Sequence, residues 1–290
     1  MSHTRLCIVA DVHCGPDSPT KKGGQAVDLL RHVIDFARVT QPDVLLDLGD
    51  RISDVDLSTD RRNLVEVAAR LGSLRCHRIH LLGNHDVGHL SPADNAEILA
   101  SPVHSRVVEL DPCRIVVWQP DMTVRAGGFA ARTASLPWLA AALTESDKPA
   151  VVVSHVPVSG QAMTGNYYFE NNPGFATLPD HAEIRRVALA SGRVALWLSG
   201  HVHWNSVTMV GGIPFVTIQS LTESFTTPPG PSGCFADLQI KDGMFELAVR
   251  GRDPFHLRLP FRASGQHPWL APYAPPPRQA MLHREPAMAG

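Results

Sequence analysis

Five apolar runs of strand length each end in side chains that commonly bind metal ions. The runs and the residues after them are LCIVA (6–10) with Asp11 and His13, VLLDL (44–48) with Gly49 and Asp50, RIHLL (78–82) with Gly83, Asn84 and His85, AVVVS (150–154) with His155, and VALWLS (194–199) with Gly200, His201 and His203. In an open α/β sheet, ligands bind beyond the carboxyl ends of the strands. The pattern therefore predicts that five chain segments bring these side chains to one edge.

The spacing and the chemistry of these side chains fit metal coordination. Residues two apart in an extended chain point the same way, so Asp11 and His13 can face one ion, and His201 and His203 can face the same site. The set contains carboxylates, imidazoles and one amide oxygen but no thiolate, which suits Zn, Mn or Fe. Seven ligands are too many for one ion but suit two ions that share a carboxylate. The sequence therefore predicts a two-metal hydrolytic site.

Each motif taken alone has a simpler interpretation. GNHD is also typical of a polar turn, in which Asn84 and Asp86 bond to their own backbone. The ordered set of five is hard to explain in this way, because burying so many unpaired polar groups together is costly unless ions hold them. The glycines before Asp50, Asn84 and His201 are expected to allow the backbone to turn tightly and approach an ion closely.

Helix-like segments lie between several of the apolar runs. Residues 25–39 and 61–71 place apolar side chains three and four positions apart, and 134–143 and 181–190 are two further helix candidates. Runs that alternate with helices and lack internal polar alternation indicate strands buried on both faces of a sheet. The sequence predicts an α/β fold.

The pattern changes near residue 205 to short alternating strands with glycine turns. Asp242 and Gly243 are a typical hairpin turn, and we expect these strands to form the antiparallel closing part of the same domain. After residue 260 the chain is rich in proline and alanine and has no periodicity. We predict one domain over residues 1–260 and a Pro-rich C-terminal tail over 261–290.

The overall composition narrows the classes of function. The formal net charge of −2 argues against a nucleic-acid partner. Five scattered cysteines without a CxxC pair indicate free thiols in a reducing compartment. Five residues precede the first apolar run, and no run reaches the roughly 18 apolar residues of a membrane span. We expect a cytoplasmic protein with no membrane partner.

The ordered motifs resemble those of the calcineurin-like metallophosphoesterase superfamily. They are Asp11-x-His13, Gly49-Asp50, Gly83-Asn84-His85-Asp86, His155 and Gly200-His201-x-His203, and they span residues 11 to 203. Within the superfamily, the size and layout are most similar to the bacterial class III cyclic nucleotide phosphodiesterases and glycerophosphodiesterases. The resemblance implies a four-layer α/β/β/α sandwich, in which two mixed sheets are flanked by helices.

The resemblance also implies a role for each motif residue. The first metal ion would be bound by Asp11, His13, Asp50 and His203, and the second by Asp50, Asn84, His155 and His201. A hydroxide between the two ions would attack phosphorus. His85 would lie beside the leaving group and donate a proton to it or stabilise it, so His85 and the bridging Asp50 are the expected catalytic residues.

The substrate is expected to contact the GNH motif and one loop. Asn84 and His85 lie at the expected position of the phosphoester. The stretch GNYYFENNPGF (165–175) places aromatic side chains after the His155 strand. Tyr167, Tyr168 or Phe169 could stack on a base or cover the site, although an ordinary surface loop is an alternative interpretation.

Three other residues near the motifs each allow two interpretations. Asp86 could orient one of the histidines or cap the turn that follows it. Arg51 could reach a phosphate oxygen or form an ion pair at the rim of the sheet. Cys14 could be a reactive thiol or a small buried residue. The lysines of the loop at 13–24 could simply be solvated.

The leading hypothesis is a phosphodiesterase that hydrolyses small diesters, either cyclic nucleotides or glycerophosphodiesters. A phosphomonoesterase that acts on nucleotides or sugar phosphates would use the same metals. A catalytically silent scaffold of the same fold is a third hypothesis, which the full ligand set argues against. A nuclease is a fourth, which the balanced charge argues against. The resemblance alone suggests a homodimer.

Overall fold

The computed structural model describes residues 3–265. The strands are β1 (His3–Val9), β2 (Val44–Asp47), β3 (His77–His80), β4 (Arg106–Glu109), β5 (Arg114–Val117), β6 (Val124–Arg125), β7 (Gly128–Phe129), β8 (Ala150–Val153), β9 (Val194–Ser199), β10 (Ser206–Val210), β11 (Ile213–Thr217), β12 (Phe235–Lys241), β13 (Met244–Arg250) and β14 (Phe255–Pro260). The helices are α1 (Ala26–Thr40), α2 (Leu57–Gly72), α3 (Pro92–Leu99), α4 (Leu136–Thr144), α5 (Pro173–Ala176) and α6 (His181–Ser191).

Two six-stranded mixed sheets form the centre of the molecule. The first sheet has the order β14-β13-β12-β1-β2-β3, in which β1, β2 and β3 run parallel and the other three strands pair antiparallel. The second has the order β10-β11-β9-β8-β5-β4, in which β5, β8, β9 and β11 run parallel. β6 and β7 form a separate short hairpin.

Three apolar clusters hold four layers together. The cluster between the sheets contains Ile8 and Leu46 from the first sheet and Val153 and Leu198 from the second. A second cluster packs α1 and α2 against the outer face of the first sheet. A third packs α4 and α6 against the outer face of the second sheet. The predicted α/β/β/α sandwich with two mixed sheets is confirmed.

The five apolar runs form β1, β2, β3, β8 and β9, whose side chains are mostly buried. The four helix candidates form α1, α2, α4 and α6. Helix α2 begins at Leu57 rather than 61, because the Asp56 side chain accepts hydrogen bonds from the backbone N–H groups of Ser58 and Thr59 and caps it. Helix α3, which begins with a capping box at Ser91 and Asp94, was not predicted.

The antiparallel strands after residue 205 do not form one closing unit. The hairpin of β10 and β11 extends the second sheet, where β11 pairs parallel to β9, whereas β12, β13 and β14 extend the first. The predicted turn at Asp242 and Gly243 joins β12 to β13, with φ of 53° and 70°. Most of the predicted tail (261–290) lies outside the described residues, so the predicted domain boundary stays a prediction. No helix within 3–265 has both the length and the hydropathy to cross a membrane.

Candidate metal centre

The two sheets deliver all seven predicted ligands to one end of the sandwich. Asp11 and His13 follow β1, Asp50 follows β2, Asn84 follows β3, His155 follows β8, and His201 and His203 follow β9. The donor atoms of two groups each lie within 4.8 Å of one another. One group is Asp11, His13, Asp50 and His203, and the other is Asp50, His155 and His201. Asp50 is shared between the two groups, as expected for a bridging carboxylate.

Five of these residues have left-handed backbone conformations. The φ angles are 51° at Asp11, 44° at His13, 54° at Asp50, 70° at His201 and 54° at His203. Residues with side chains rarely adopt this conformation, and its cost, about 1–3 kcal/mol each, is typical of functional sites. The turns at the strand ends are thus shaped to direct the donor atoms and not for local stability.

Glycines give the carboxylates the space that they occupy. A Cβ on Gly83 would lie 2.0 Å from Oδ1 of Asp50, and a Cβ on Gly200 would lie 2.6 Å from Oδ2 of Asp11. Gly49 has φ of 99°, and its Cβ would lie 2.6 Å from the backbone nitrogen of Gly83. At each of the three glycines a side chain would collide with a ligand carboxylate or with a neighbouring loop. The predicted close approach of the backbone to an ion stays a prediction.

Several donor atoms of the two groups face each other at short range. His155 Nδ1 donates to the Leu48 carbonyl at 2.8 Å, which leaves Nε2 to face Asp50 Oδ2 at 3.2 Å. The Nε2 atoms of His13 and His203 lie 2.9 Å apart. Two facing acceptors repel unless a proton or a cation lies between them. These residues therefore fit a metal centre.

Asn84 adds an amide oxygen to this set. Its Oδ1 is buried and has no hydrogen-bond partner among residues 3–265, and the side chain lines the same pocket as Asp50, His201 and His203. A buried amide oxygen without a partner costs free energy, which a cation would recover. The predicted ligand role of Asn84 is consistent with this position.

The histidine rings are held by groups outside the ligand set. His201 Nε2 donates to the Phe175 carbonyl at 2.7 Å, which leaves Nδ1 for an ion. Burial lowers the pKa of His201 to about 3, so this ring is neutral, as a ligand must be. His203 Nδ1 donates to Glu223 Oε2 at 2.9 Å. Burial opposes protonation of His203, but hydrogen bonds to Asp11 and Glu223 outweigh it and raise its pKa to about 9. The carboxylates of Asp11 and Glu223 therefore favour a positive charge beside His203, which a proton on the ring or a bound cation can supply.

His85 stands beside the metal-type ligands and not among them. Its backbone N–H donates to Asp50 Oδ1 at 2.9 Å, and its ring lies edge-on to His13 with centroids 4.8 Å apart. Its Nδ1 lies 2.6 Å from Asp54 Oδ1, so Nε2 is the nitrogen left to act on a ligand. The carboxylate fixes the tautomer and the orientation of the imidazole.

Asp86 does not orient a histidine. Its carboxylate accepts hydrogen bonds from the backbone N–H groups of Asp50, Arg51 and Gly83, each at 2.9 Å. It therefore ties the two loops that carry the bridging carboxylate and the GNH motif. Neither predicted role of Asp86 is observed, because the partners of its carboxylate all precede it in the sequence. Asp54 has the histidine-orienting position.

Neither Arg51 nor Cys14 lines the pocket. Arg51 is fully buried and pairs with Asp47 at 2.6 Å and with Asp86 at 3.1 Å, so it cannot reach a phosphate oxygen. Cys14 is buried, and burial raises the pKa of its thiol to about 11, which does not favour a reactive thiolate. The ion-pair and buried-residue interpretations hold for these two residues.

Four of the candidate ligands, Asp50, Asn84, His201 and His203, line a cavity of about 560 Å³. Lys21, Asp54, Asn84, His85 and Glu223 line it together with a group of aromatic residues, which are Phe129, Tyr167, Tyr168, Phe169, Phe175 and Phe225. This volume is in the usual range for small-molecule sites, about 300–1,000 Å³. Tyr167 and Tyr168 both line this cavity, and their contact with a substrate stays a prediction.

A family model described as Calcineurin-like phosphoesterase matches residues 4–205. The chain belongs to this family. Membership implies a dinuclear metal centre, for which the structure supplies the candidate ligands, and it supports a metal-dependent phosphoester hydrolase. The placement among bacterial class III phosphodiesterases stays a prediction.

Solved structures of this calcineurin-like phosphoesterase fold include enzymes and an anchoring protein. A dimetal phosphatase from Danio rerio is 18% identical with a TM-score of 0.73, and the match covers 90% of this chain and 100% of that chain. Purple acid phosphatase PPD1 from yellow lupin (Lupinus luteus) is 13% identical with a TM-score of 0.66, over 94% of this chain and 57% of that chain. GAP50, the anchor in the inner membrane complex of Plasmodium, is 14% identical with a TM-score of 0.55, over 90% of each chain. These likenesses show the fold alone. No curated protein matches the sequence.

Sequence reasoning missed three residues of this phosphoesterase site. Asp54 lies four positions after Asp50, a spacing that could have suggested a partner for His85. Glu223 follows β11 and has no motif, and only the pairing of β11 with β9 brings it to His203. Lys21 lines the cavity and has no ion-pair partner among the described residues.

Proposed function

We propose that the chain is a binuclear metal-dependent phosphodiesterase that hydrolyses small phosphodiesters. The observation that carries this proposal is the pair of donor groups that share Asp50, a residue that lines the cavity. The first ion would be held by Asp11, His13, Asp50 and His203, and the second by Asp50, Asn84, His155 and His201. Nitrogen and oxygen donors favour Mn, Fe or Zn as the ions.

The charge of the cavity supports a diester over a monoester. Lys21 is the only lysine or arginine on its wall within residues 3–265, and the carboxylates of Asp54 and Glu223 lie on the same wall. A phosphodiester carries one negative charge, whereas a phosphomonoester carries nearly two near neutral pH. A wall with few cations therefore suits the singly charged ester, with Lys21 beside a non-bridging phosphoryl oxygen.

The residues around the cavity have separate roles in hydrolysis. When bound, the two ions would activate water and neutralise the charge that develops on the phosphoryl oxygens. His85 donates a proton from Nε2 to the departing oxygen, and Asp54 stabilises the protonated ring through Nδ1. The backbone N–H of His85 holds Oδ1 of Asp50 in place. The carbonyls of Leu48 and Phe175 and the carboxylate of Glu223 orient the three histidines described above.

The compartment proposed for this enzyme is the cytoplasm. All five cysteines are free, and four of them are buried. Free thiols persist in reducing compartments. The homodimer suggested by the resemblance stays a prediction.

The deciding experiment compares bis-p-nitrophenyl phosphate with p-nitrophenyl phosphate on Mn-loaded protein of measured metal content. We expect the diester to have the higher kcat/KM and Asp50→Asn to abolish turnover of both esters. A preference for the monoester by orders of magnitude would overturn the diesterase assignment. Metal-loaded protein with no activity on either compound would instead favour a silent scaffold. Cyclic nucleotides and glycerophosphodiesters then complete the substrate panel.

A further inference from the structure

We infer that Tyr167 and Phe225 form an aromatic platform that selects phosphoesters carrying a nucleobase. This inference rests on the proposed function, because it assigns the substrate class of the same cavity. The two side chains belong to distant loops and line the cavity together. Their rings lie nearly parallel, with an interplanar angle of 24° and centroids 6.4 Å apart.

Three other aromatic residues of the cavity pack against a neighbouring ring. Phe129 and Phe169 are each 7% exposed, and their rings pack on His201 at 5.5 and 5.1 Å between centroids. The Tyr168 ring is 48% exposed and stands edge-on to Phe169 at 4.9 Å. Tyr167 is more exposed, at 59%, and its ring faces Phe225. It therefore offers a large unburied ring surface at the mouth of the cavity.

The geometry of the pair suits a flat ring. A planar group held between two parallel rings needs them about 7 Å apart, which is twice a contact distance of ~3.5 Å. The two ring centroids lie 6.4 Å apart, so a base enters between the rings once the exposed Tyr167 ring moves outward by about 1 Å. Stacking of this kind accepts any base, because every base presents a π-face.

Both halves of the platform are anchored to the loop that carries the histidine ligands. The buried Asn166 donates from its side-chain nitrogen to the Val202 carbonyl at 2.8 Å, and its Oδ1 accepts from the backbone N–H of Tyr168 and Phe169. This arrangement fixes the loop of Tyr167 against the turn between His201 and His203.

The second anchor is Glu223. Its Oε2 orients His203, while its Oε1 accepts from the backbone N–H groups of Ser224 and Phe225 at 2.8 and 3.2 Å. Phe225 is two residues after Glu223, and two residues of extended chain span at most about 7 Å. Phe225 therefore stays close to the carboxylate that orients His203. The Trp204 ring, next to His203 in sequence, lies 6.5 Å from Phe225 and supports it. The platform is therefore held in advance at a set position from the metal centre, which lowers the entropic cost of binding.

The test compares two phosphates that differ only in the base. Adenosine 5′-monophosphate and ribose 5-phosphate are titrated into Mn-loaded protein by calorimetry. One stacked base is worth about 5- to 150-fold in affinity. We expect the nucleotide to bind tighter by a factor in this range. Tyr167→Ala should remove that advantage and leave ribose 5-phosphate binding within about twofold of wild type, and Tyr167→Phe should restore it.

Phe225→Ala should show the same selective loss. Met209→Ala, which removes an exposed apolar side chain outside the cavity lining, is the matched control and should bind both ligands as wild type does. Equal affinity of wild type for the two phosphates, or equal losses for both ligands in Tyr167→Ala, would overturn the platform.

The diesterase proposal and the platform proposal can each be overturned without the other. Protein that hydrolyses bis-p-nitrophenyl phosphate but does not prefer the nucleotide contradicts the platform and leaves the diesterase assignment intact. Protein that binds the nucleotide through Tyr167 but hydrolyses no ester contradicts the assignment and leaves the platform intact.

Discussion

One methyl group at Gly83 tests the geometry of the metal centre. In Gly83→Ala, the added Cβ would lie 2.0 Å from Asp50 Oδ1 and 2.6 Å from the backbone nitrogen of Asp50. Real Cβ atoms essentially never approach another heavy atom closer than 3.0 Å. The carboxylate shared by both donor groups therefore has to move by about 1 Å, the difference between these distances.

A displacement of this size has a large effect on catalysis. Misplacing a catalytic group by about 1 Å can cost about 100-fold in rate. Because both ions share Asp50, we expect kcat for bis-p-nitrophenyl phosphate to fall by about 100-fold or more in Gly83→Ala. The metal content, measured by inductively coupled plasma mass spectrometry, should fall below two ions per chain. Gly72→Ala is the control, because its Cβ meets only Arg78 Nη1 at 4.0 Å.

Thermal melts show whether Gly83→Ala is folded. A folded variant with wild-type kcat and two bound ions would refute the reasoning, because the carboxylate could not then lie where the structure places it. A loss of the same size in Gly72→Ala would show that the effect is not specific to Asp50.

Three further predictions concern the same site. Asp50→Ala should remove both ions and all measurable turnover. His85→Ala should instead retain the metals and lose about 100-fold or more in kcat. Loss of metal in His85→Ala would contradict the position of His85 outside the ligand set. Asp54→Asn should lower kcat by about 10- to 100-fold without changing the metal content, and an unchanged kcat would mean that Asp54 does not orient His85. Chelation should abolish activity reversibly, and added Mn should restore it at least in part. Chelation should also lower the melting temperature, because ions that bind only the folded chain stabilise it. Full activity in excess chelator would contradict a metal mechanism.

The central strands and the ligand residues could be predicted because both depend on local sequence. Apolar runs such as 194–199 have few alternatives to a buried strand, and the polar residues after them have little reason to cluster unless they bind a ligand. The order of the motifs then indicated the family. The start of α2 and the whole of α3 were not predicted, because the capping residues Asp56 and Ser91 begin these helices without a long apolar pattern to mark them.

What the sequence did not indicate depends on contacts between distant segments. Glu223 reaches His203 only because β11 lies beside β9 in the second sheet. From its residue type alone, Asp86 could equally well orient a histidine. Only the three backbone N–H groups that donate to it show that it ties two loops together. Likewise, nothing local distinguishes Lys21 from a solvated lysine before the cavity wall is known.

The two anchors of the aromatic platform differ in how easily the residues around them can change without disturbing the metal centre. The loop of Tyr167 is fastened through Asn166 to a main-chain carbonyl, which any residue at position 202 would supply. Tyr167 can therefore be exchanged while the catalytic centre is kept, whereas Phe169 of the same loop packs on His201. The turn of Phe225 shares its carboxylate with His203, so replacement there also perturbs metal affinity. Natural and engineered changes of specificity should accumulate on the 165–172 side, with the 223–225 side held nearly constant.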